Sequence, residues 1–169
     1  EYTPLSETVT YKEGAVVAGT DITVNTLREA ESESARNAKS LNNLTTRKNT
    51  AKIVGFAAAK IGLPAELVWT TMYREIGGRF DSNSYGDGGK ALGMGQIHRP
   101  GWNKVINDPR FVEIMEPIVQ EDPRSIERAR SILADVVGIA IVLKNAADAI
   151  GISMDHTTEL SHQQLSDLR

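Results

Sequence analysis

The chain has 169 residues, of which 40% are apolar and 24% charged, and this suits one globular domain with a sizeable core. A net charge of −3 without a basic block argues against nucleic acid as a partner, and the absence of cysteine excludes disulfides and thiolate metal sites. The most apolar run, 132–143, is too short to span a bilayer and contains Asp135. We therefore predict a buried helix there and no membrane insertion.

The first 44 residues are expected to form an N-terminal arm or connector. Residues 1–25 alternate in places between polar and β-branched side chains, which favours short extended segments. Residues 26–43 contain good helix formers but only a thin apolar stripe. We therefore divide the chain into an arm, residues 1–44, and a compact domain, residues 45–169.

Two helices are predicted at the start of the compact domain. The first ends at Gly62, and Pro64 opens the second in its first turn, where the missing N–H costs nothing. The second ends at Gly77 and Gly78, so that Glu75 falls in its last turn. The residues expected to pack inward are Ile53, Phe56, Ala57 and Ile61 in the first helix, and Leu67, Val68, Thr71 and Met72 in the second.

The second half of the domain is also predicted to be helical. Residues 108–120 read as a helix interrupted near Pro117, and residues 122–151 as a long helix with Ser125 as its cap and Gly151 as its stop. Its middle is apolar on all sides, so other helices must surround it. Trp102 is expected to anchor the core. The predicted fold class is mainly α, with a small glycine-rich β-hairpin or loop.

The glycine-rich loop after Glu75 carries the most information about function. A glutamate at a helix C-terminus faces the negative end of the helix dipole, which disfavours its charged form, and apolar walls would add to this effect. Arg74 and Arg79 would oppose it if their side chains approach. The alternative interpretation is a solvated glutamate at a helix end. A protonated carboxyl group beside a groove is what a general acid requires.

Asp87 provides a second carboxyl group twelve residues after Glu75. The Asp87-Gly88 pair is typical of a hairpin turn, and a turn without a function is the simpler explanation of it. If the hairpin folds back toward the helix end, the two carboxyl groups face each other across a groove. Glycoside hydrolysis requires such a pair, because one acid protonates the leaving oxygen while the other group handles water or the developing positive charge.

These residues carry a family resemblance. A glutamate that ends a helix, followed by GDGG and GMGQI, resembles the goose-type lysozymes and the related soluble lytic transglycosylases, most clearly over 68–102 and more weakly through the long apolar helix. The resemblance implies a lysozyme-like α fold, Glu75 as the catalytic acid, and Asp87 as the residue that positions the attacking water. It also implies that Gln96 and the backbone of Gly93, Met94 and Gly95 line the subsite for the N-acetyl group of the sugar. Tyr85 and His98 are further candidate substrate-binding residues beside this loop, although packing is the simpler role for Tyr85.

The implied substrate is the β-1,4 bond between N-acetylmuramic acid and N-acetylglucosamine in peptidoglycan, cleaved without a metal or cofactor. Ile76 and His98 stand where the family usually has serine and aspartate, and the later Ala-Tyr-Asn-x-Gly helix is absent. Hydrolysis, lytic transglycosylation, and a non-catalytic structural or glycan-binding module therefore all remain open. An α-helical assembly domain with an incidental loop is a further alternative.

The expected partners are peptidoglycan glycan strands and the structural proteins of a larger assembly, such as a phage tail or virion, acting at the cell wall outside the cytoplasm. By analogy, the chain is expected to be a piece of a longer protein that lacks the last helix of the fold. Tyr73 is expected to pack more often than to stack on a sugar ring. Met94 and Ile97 are expected to pack beneath the loop, and His156 and His162 to lie on the surface.

Overall fold

The computed structural model of the chain describes residues 9–12, 14, 22–36, 44–77, 85–155 and 163, without the side chains of residues 32–36, 45, 46 and 85. Within these ranges the protein is mainly α-helical, as predicted. The described elements, in chain order, are helices α1 (Val24–Arg36), α2 (Leu44–Ile61) and α3 (Ala65–Ile76), strands β1 (Tyr85–Gly86), β2 (Ala91–Leu92) and β3 (Ile97–His98), and helices α4 (Arg99–Ile106), α5 (Pro109–Met115) and α6 (Ile132–Ala149).

Helix α6 lies at the centre of the fold. Every residue from Ile132 to Ile141 is buried, and the other five described helices, α1 to α5, pack in the same core. A helix that is apolar on all sides must be covered in this way, so the prediction of a surrounded helix is confirmed. Trp102 anchors the core as predicted: its Nε1–H donates to the Ile126 carbonyl at 2.9 Å, and its ring meets Phe111 edge-on.

The ends of the early helices follow local backbone chemistry. Gly62 and Gly77 adopt left-handed conformations, with φ of 89° and 62°, and α2 and α3 end immediately before them. Pro64 stands in extended conformation immediately before α3. Helix α5 ends at Met115, ahead of the breaker Pro117. These boundaries agree with the sequence predictions, apart from Gly78, which lies outside the described residues.

The start of the long helix was wrongly predicted. Helix α6 begins at Ile132 with Ser131 as its cap, whose Oγ accepts from the Ala134 N–H at 3.2 Å. Ser125 instead ends a short 3₁₀ turn. Ile126, whose carbonyl accepts from Trp102, is extended with φ of −73° and ψ of 119°, and Ala129 is left-handed with φ of 62°, so a helix does not run through these residues.

The segment predicted to be a separate arm shares the core of the compact domain. Val9, Tyr11, Leu27 and Ala30 are buried among the core residues of the later helices. Tyr11 also forms an isolated antiparallel bridge with Val119. The described part of residues 1–44 is therefore a structural component of the fold. The inward face of α1 therefore consists of a thin apolar stripe and one buried acidic residue.

That acid is Glu31, which is fully buried. Its Oε2 accepts from the Tyr11 hydroxyl, from Ser131 Oγ at 3.0 Å and from the Leu133 N–H at 3.2 Å. Burial raises the pKa of Glu31, and these three hydrogen bonds oppose the rise. The carboxyl group thus joins the N-terminal segment and α1 to the first turn of α6.

Candidate functional site

The glycine-rich loop forms a three-stranded antiparallel sheet. Strand β1 pairs with β2, and β2 pairs with β3, so that Ala91 lies opposite both Gly86 and His98. Residues 87–89 form a 3₁₀ turn between β1 and β2. The predicted hairpin is therefore present, extended by one strand. It brings together Asp87, Gln96 and His98 from separate positions in the chain.

Two residues of this sheet have unusual backbone conformations. Asp87 and Gln96 are left-handed, with φ of 52° and 51°, although neither is glycine. Such conformations cost of order 1 kcal/mol or more and persist only where the surroundings impose them. The conformation of Asp87, followed by left-handed Gly88, is usual for an Asp-Gly hairpin turn, whereas that of Gln96 is uncommon for its residue type. Such uncommon conformations are concentrated at binding and catalytic sites, so we take the sheet as the candidate functional surface.

Asp87 and His98 form an exposed pair. The Asp87 Oδ2 lies 3.5 Å from the His98 Nε2, and the two side chains are 67% and 50% exposed, respectively. A ligand could therefore reach both groups. His98 can support a negative charge on Asp87 whenever the imidazole is protonated.

Gln96 points back into the sheet. Its Nε2 donates to the Gly93 carbonyl at 2.8 Å. Its Oε1 lies where a side chain on Gly86 would begin, 2.5 Å from the position of a Cβ there. A side chain on Gly86, the first residue of the GDGG motif, would therefore require the end of the Gln96 side chain to move. The two glycine motifs are parts of one structure.

The turn at Gly93–Gly95 lies directly against α6. Gly93 and Met94 are buried, and Gly95 is half-buried against Ile139. Met94 and Ile97 pack beneath the sheet, as predicted. Both residues pack in the interior, and their predicted contact with substrate stays a prediction. A side chain on Gly93 or Gly95 would collide with α6, so the close approach of the backbone requires glycine there.

Asp135 is the residue of α6 that meets this turn, and it is fully buried. Its Oδ2 accepts from the Met94 N–H at 2.6 Å, whereas its buried Oδ1 has no hydrogen-bond partner among the described residues. Burial raises the pKa of Asp135 to about 7, and the nearby N–H groups of Met94 and Gly95 oppose the rise. The folded protein therefore holds a proton on Asp135 at pH values where the unfolded chain has lost it.

Asp135→Asn is expected to change how stability depends on pH. The raised pKa stabilises the wild-type protein at low pH, and this contribution is lost as pH rises from about 4 to about 7. The free energy of unfolding of the variant, relative to that of wild type, should therefore rise over this pH range and level off above it. The rise is at most about 1.4 kcal/mol for each unit by which the pKa of Asp135 in the folded protein exceeds its pKa in the unfolded chain. Denaturant unfolding at pH 4 to 8 measures this difference.

Asp108→Asn is the comparison for that experiment. A hydrogen bond from Arg110 lowers the pKa of Asp108, so its contribution to stability is lost only as pH falls below about 4. Its difference from wild type should be level between pH 5 and 8. A level difference for Asp135→Asn as well would contradict the raised pKa of Asp135.

Arg128 bonds to the backbone of the sheet at two points. Its Nη1 donates to the Lys90 carbonyl and, at 2.9 Å, to the Ile97 carbonyl. One guanidinium group thereby ties the segment before β2 to the start of β3. Neighbouring Glu127 forms an ion pair with Arg99 at 2.7 Å, which fixes the same loop to the first turn of α4.

Arg128→Met is expected to loosen this sheet. Loss of two hydrogen bonds from a charged donor should lower the free energy of unfolding by about 1–3 kcal/mol. Relative to wild type, exchange of backbone amides with solvent should increase more in β2 and β3 than in α2. Hydrogen exchange measured by mass spectrometry or NMR tests this. Arg124→Met, which removes an exposed ion pair with Asp122, is the control and should leave the sheet unchanged.

Glu75 occupies the last turn of α3, as predicted, and its side chain is exposed. The described residues therefore do not enclose it in an apolar wall. Within the described ranges, no hydrogen bond or ion pair joins Glu75 to Asp87 or His98. The backbone of Tyr85 lies in β1, opposite Leu92. Arg79, His156, His162 and the side chain of Tyr85 lie outside the described part of the structure.

Sequence reasoning missed the supporting roles of Asp135 and Arg128. An aspartate inside a long apolar run was a usable signal, because a buried acid requires partners. Arg128 gave no comparable signal, since it stands among other charged residues in an irregular segment. In the described ranges there is no group of three or more histidine or acidic residues that could hold a metal ion.

No helix in the described ranges is long and apolar enough to cross a membrane. We compared the chain with protein-family models, with curated proteins and with solved structures, and none of the three comparisons gave a match. Function is therefore inferred from the residues and their geometry.

Proposed function

We propose that this protein cleaves the β-1,4 bond between N-acetylmuramic acid and N-acetylglucosamine in peptidoglycan, on a lysozyme-like α domain. The observation that carries the proposal is the three-stranded sheet, which holds an exposed Asp87 in a left-handed conformation beside His98, close in the chain to a helix that ends with an exposed glutamate. The left-handed backbone of Asp87 and Gly88 is that of an ordinary Asp-Gly turn, and the support for a binding surface is the exposure of the adjacent Asp87 and His98 side chains.

In this proposal Glu75 donates a proton to the glycosidic oxygen as the bond from that oxygen to the sugar C1 breaks. Its exposed position allows a glycan strand to reach it, and the bound strand would exclude water and disfavour the charged carboxylate. Asp87 accepts a proton from the attacking water, which then bonds to C1. His98, 3.5 Å from Asp87, would help to orient that carboxylate.

Lytic transglycosylation is the second candidate reaction, and one observation favours it. The residue beside Asp87 is His98 instead of a second carboxylate, so the water-holding apparatus of a hydrolase is only partly present. In this reaction the 6-hydroxyl of the muramic sugar attacks C1 in place of water, and a 1,6-anhydro ring forms. Glu75 again protonates the leaving oxygen.

A non-catalytic glycan-binding or structural role is the third candidate. The exposure of Glu75 favours it, because a solvated carboxylate at a helix end needs no catalytic explanation. The setting proposed for all three candidates is the bacterial cell wall, with the chain acting as part of a larger assembly such as a phage tail.

Product analysis separates these candidates. Purified protein is incubated with peptidoglycan sacculi, and soluble products are identified by mass spectrometry. New reducing ends would support hydrolysis, and 1,6-anhydromuramic ends would support transglycosylation. Retention of the protein on sacculi without soluble products would indicate a binding module and would contradict both catalytic proposals.

A further inference from the structure

The GMGQ motif, residues 93–96, packs closely against α6. Its glycines give the backbone room to approach α6, yet a buried turn leaves polar N–H groups that require acceptors. The approach is very close: a Cβ on Gly93 would lie 2.8 Å from both the Cγ and Oδ1 atoms of Asp135, and Gly93 has a φ of 80°. A similar Cβ on Gly95 would lie 2.8 Å from Ile139 Cδ1.

We propose that Asp135 is the positioning residue of this site, holding the turn 93–96 against α6 and thereby fixing Gln96 and the adjacent sheet. That this sheet is a functional site rests on the proposed function. That Asp135 positions the turn rests on the contacts of its carboxyl group. The Met94 N–H donates to Asp135 Oδ2 at 2.6 Å. A buried side chain of α6 thus accepts from a buried backbone donor of the turn.

The contacts continue from this carboxyl group to the exposed pair. Asp135 accepts from Met94, and the Gln96 side chain donates at 2.8 Å to the carbonyl of Gly93, the residue before Met94. The Gln96 Oε1 lies 2.5 Å from the position that a Cβ on Gly86 would take, and Gly86 precedes Asp87 in the chain. These contacts extend from a buried residue of α6 to the segment that carries the left-handed Asp87.

Aspartate suits this position better than an apolar residue would. Leucine has a similar size, and the surrounding helix is apolar, so packing alone would favour leucine at position 135. Leucine would leave the buried Met94 N–H without its acceptor, which is unfavourable. Asparagine retains one acceptor oxygen and should keep part of the function. This order, aspartate above asparagine above leucine, is specific to a positioning role.

The test compares wild type with Asp135→Leu, Asp135→Asn and Val54→Ala. Val54 is buried in α2, away from the turn, and its variant reports what a general loss of stability does. NMR hydrogen exchange is measured at the Met94 and Gly95 amides and at interior amides of α2. The Gln96 side-chain amide resonance is followed in the same samples, since its environment reports the turn directly.

We expect Asp135→Leu to speed exchange at Met94 and Gly95 by about tenfold or more beyond any change in α2, and to shift the Gln96 amide resonance. Asp135→Asn should give a smaller local effect, and Val54→Ala a change that is no larger at the turn than in α2. Equal changes at the turn and in α2 for the Asp135 variants would overturn the proposal. If Asp135→Leu does not fold, the same comparison with Asp135→Asn decides.

Glycan cleavage measured on the same four proteins keeps the two proposals distinguishable. If wild type cleaves, the kcat/KM of Asp135→Leu should fall about tenfold or more, with partial rescue in Asp135→Asn and none of this loss in Val54→Ala. If wild type does not cleave, the proposed function fails, while the amide and Gln96 measurements still decide the positioning role. Normal cleavage by a folded Asp135→Leu would contradict the positioning role alone.

Discussion

Replacing Glu75 by glutamine is expected to lower the rate of peptidoglycan cleavage by about 10²–10⁴-fold. Glutamine has nearly the same size and can still accept hydrogen bonds, but it has no acidic proton for the leaving oxygen. Because Glu75 is exposed at the end of α3, its loss should leave folding intact. Release of soluble glycan fragments from sacculi, followed over time, measures the rate, and denaturant unfolding checks the fold.

Glu66→Gln is the matched control for this substitution. Glu66 is also exposed and lies in the first turn of the same helix, at the opposite end from Glu75. This variant should cleave at close to the wild-type rate. A Glu75→Gln protein that retains more than half of the wild-type rate would contradict the assignment of Glu75 as the general acid, whatever products are formed.

Gly93→Ala is expected to destabilise the protein by at least about 3 kcal/mol. The new Cβ would stand 2.8 Å from two atoms of the Asp135 carboxyl group, which is buried and cannot move into solvent. It would also force alanine into a left-handed conformation with φ of 80°. Denaturant unfolding measured by circular dichroism gives the free energy of unfolding of both proteins.

Gly88→Ala separates the two parts of that cost. Gly88 is left-handed as well, with φ of 66°, but nothing lies within 4 Å of the position its Cβ would take. It should lose only the conformational part, about 1–2 kcal/mol. The excess loss in Gly93→Ala then measures the contact with Asp135. Equal losses in the two variants would indicate that the turn does not press on α6 as described.

Helices α2, α3 and α5 were predictable because their ends depend on neighbouring residues. Gly62 and Gly77 supply left-handed backbone at the helix ends, and Pro64 stands immediately before α3. The burial of α6 was predictable because an apolar surface on every side of a helix has to be removed from water. The position of Glu75 in the last turn of α3 was predictable too, because Gly77 ends the helix two residues later.

The start of α6 and the place of the N-terminal segment were not predictable in this way. Ser125 and Ser131 are both acceptable caps, and the extended backbone at Ile126, whose carbonyl accepts from Trp102, separates Ser125 from the helix. The apolar stripe of α1 is thin in the sequence, and the fold also buries the polar residue Glu31. Its hydrogen bonds to Ser131 and Leu133 bridge about a hundred residues of chain, a separation that no local pattern records.

For the candidate site, the sequence by itself determined a sharp turn at Asp87, close approach of the backbone at the glycines, and a helix ending beside Glu75. These features arise from steric rules that act within a few residues. Only the tertiary structure decided that Gly93 and Met94 are buried, that Asp87 lies beside His98, and that a carboxyl group 41 residues away holds the turn. The physical reason is that hydrogen-bond acceptors for a buried turn come from whichever element packs against it, and packing is set by the whole chain.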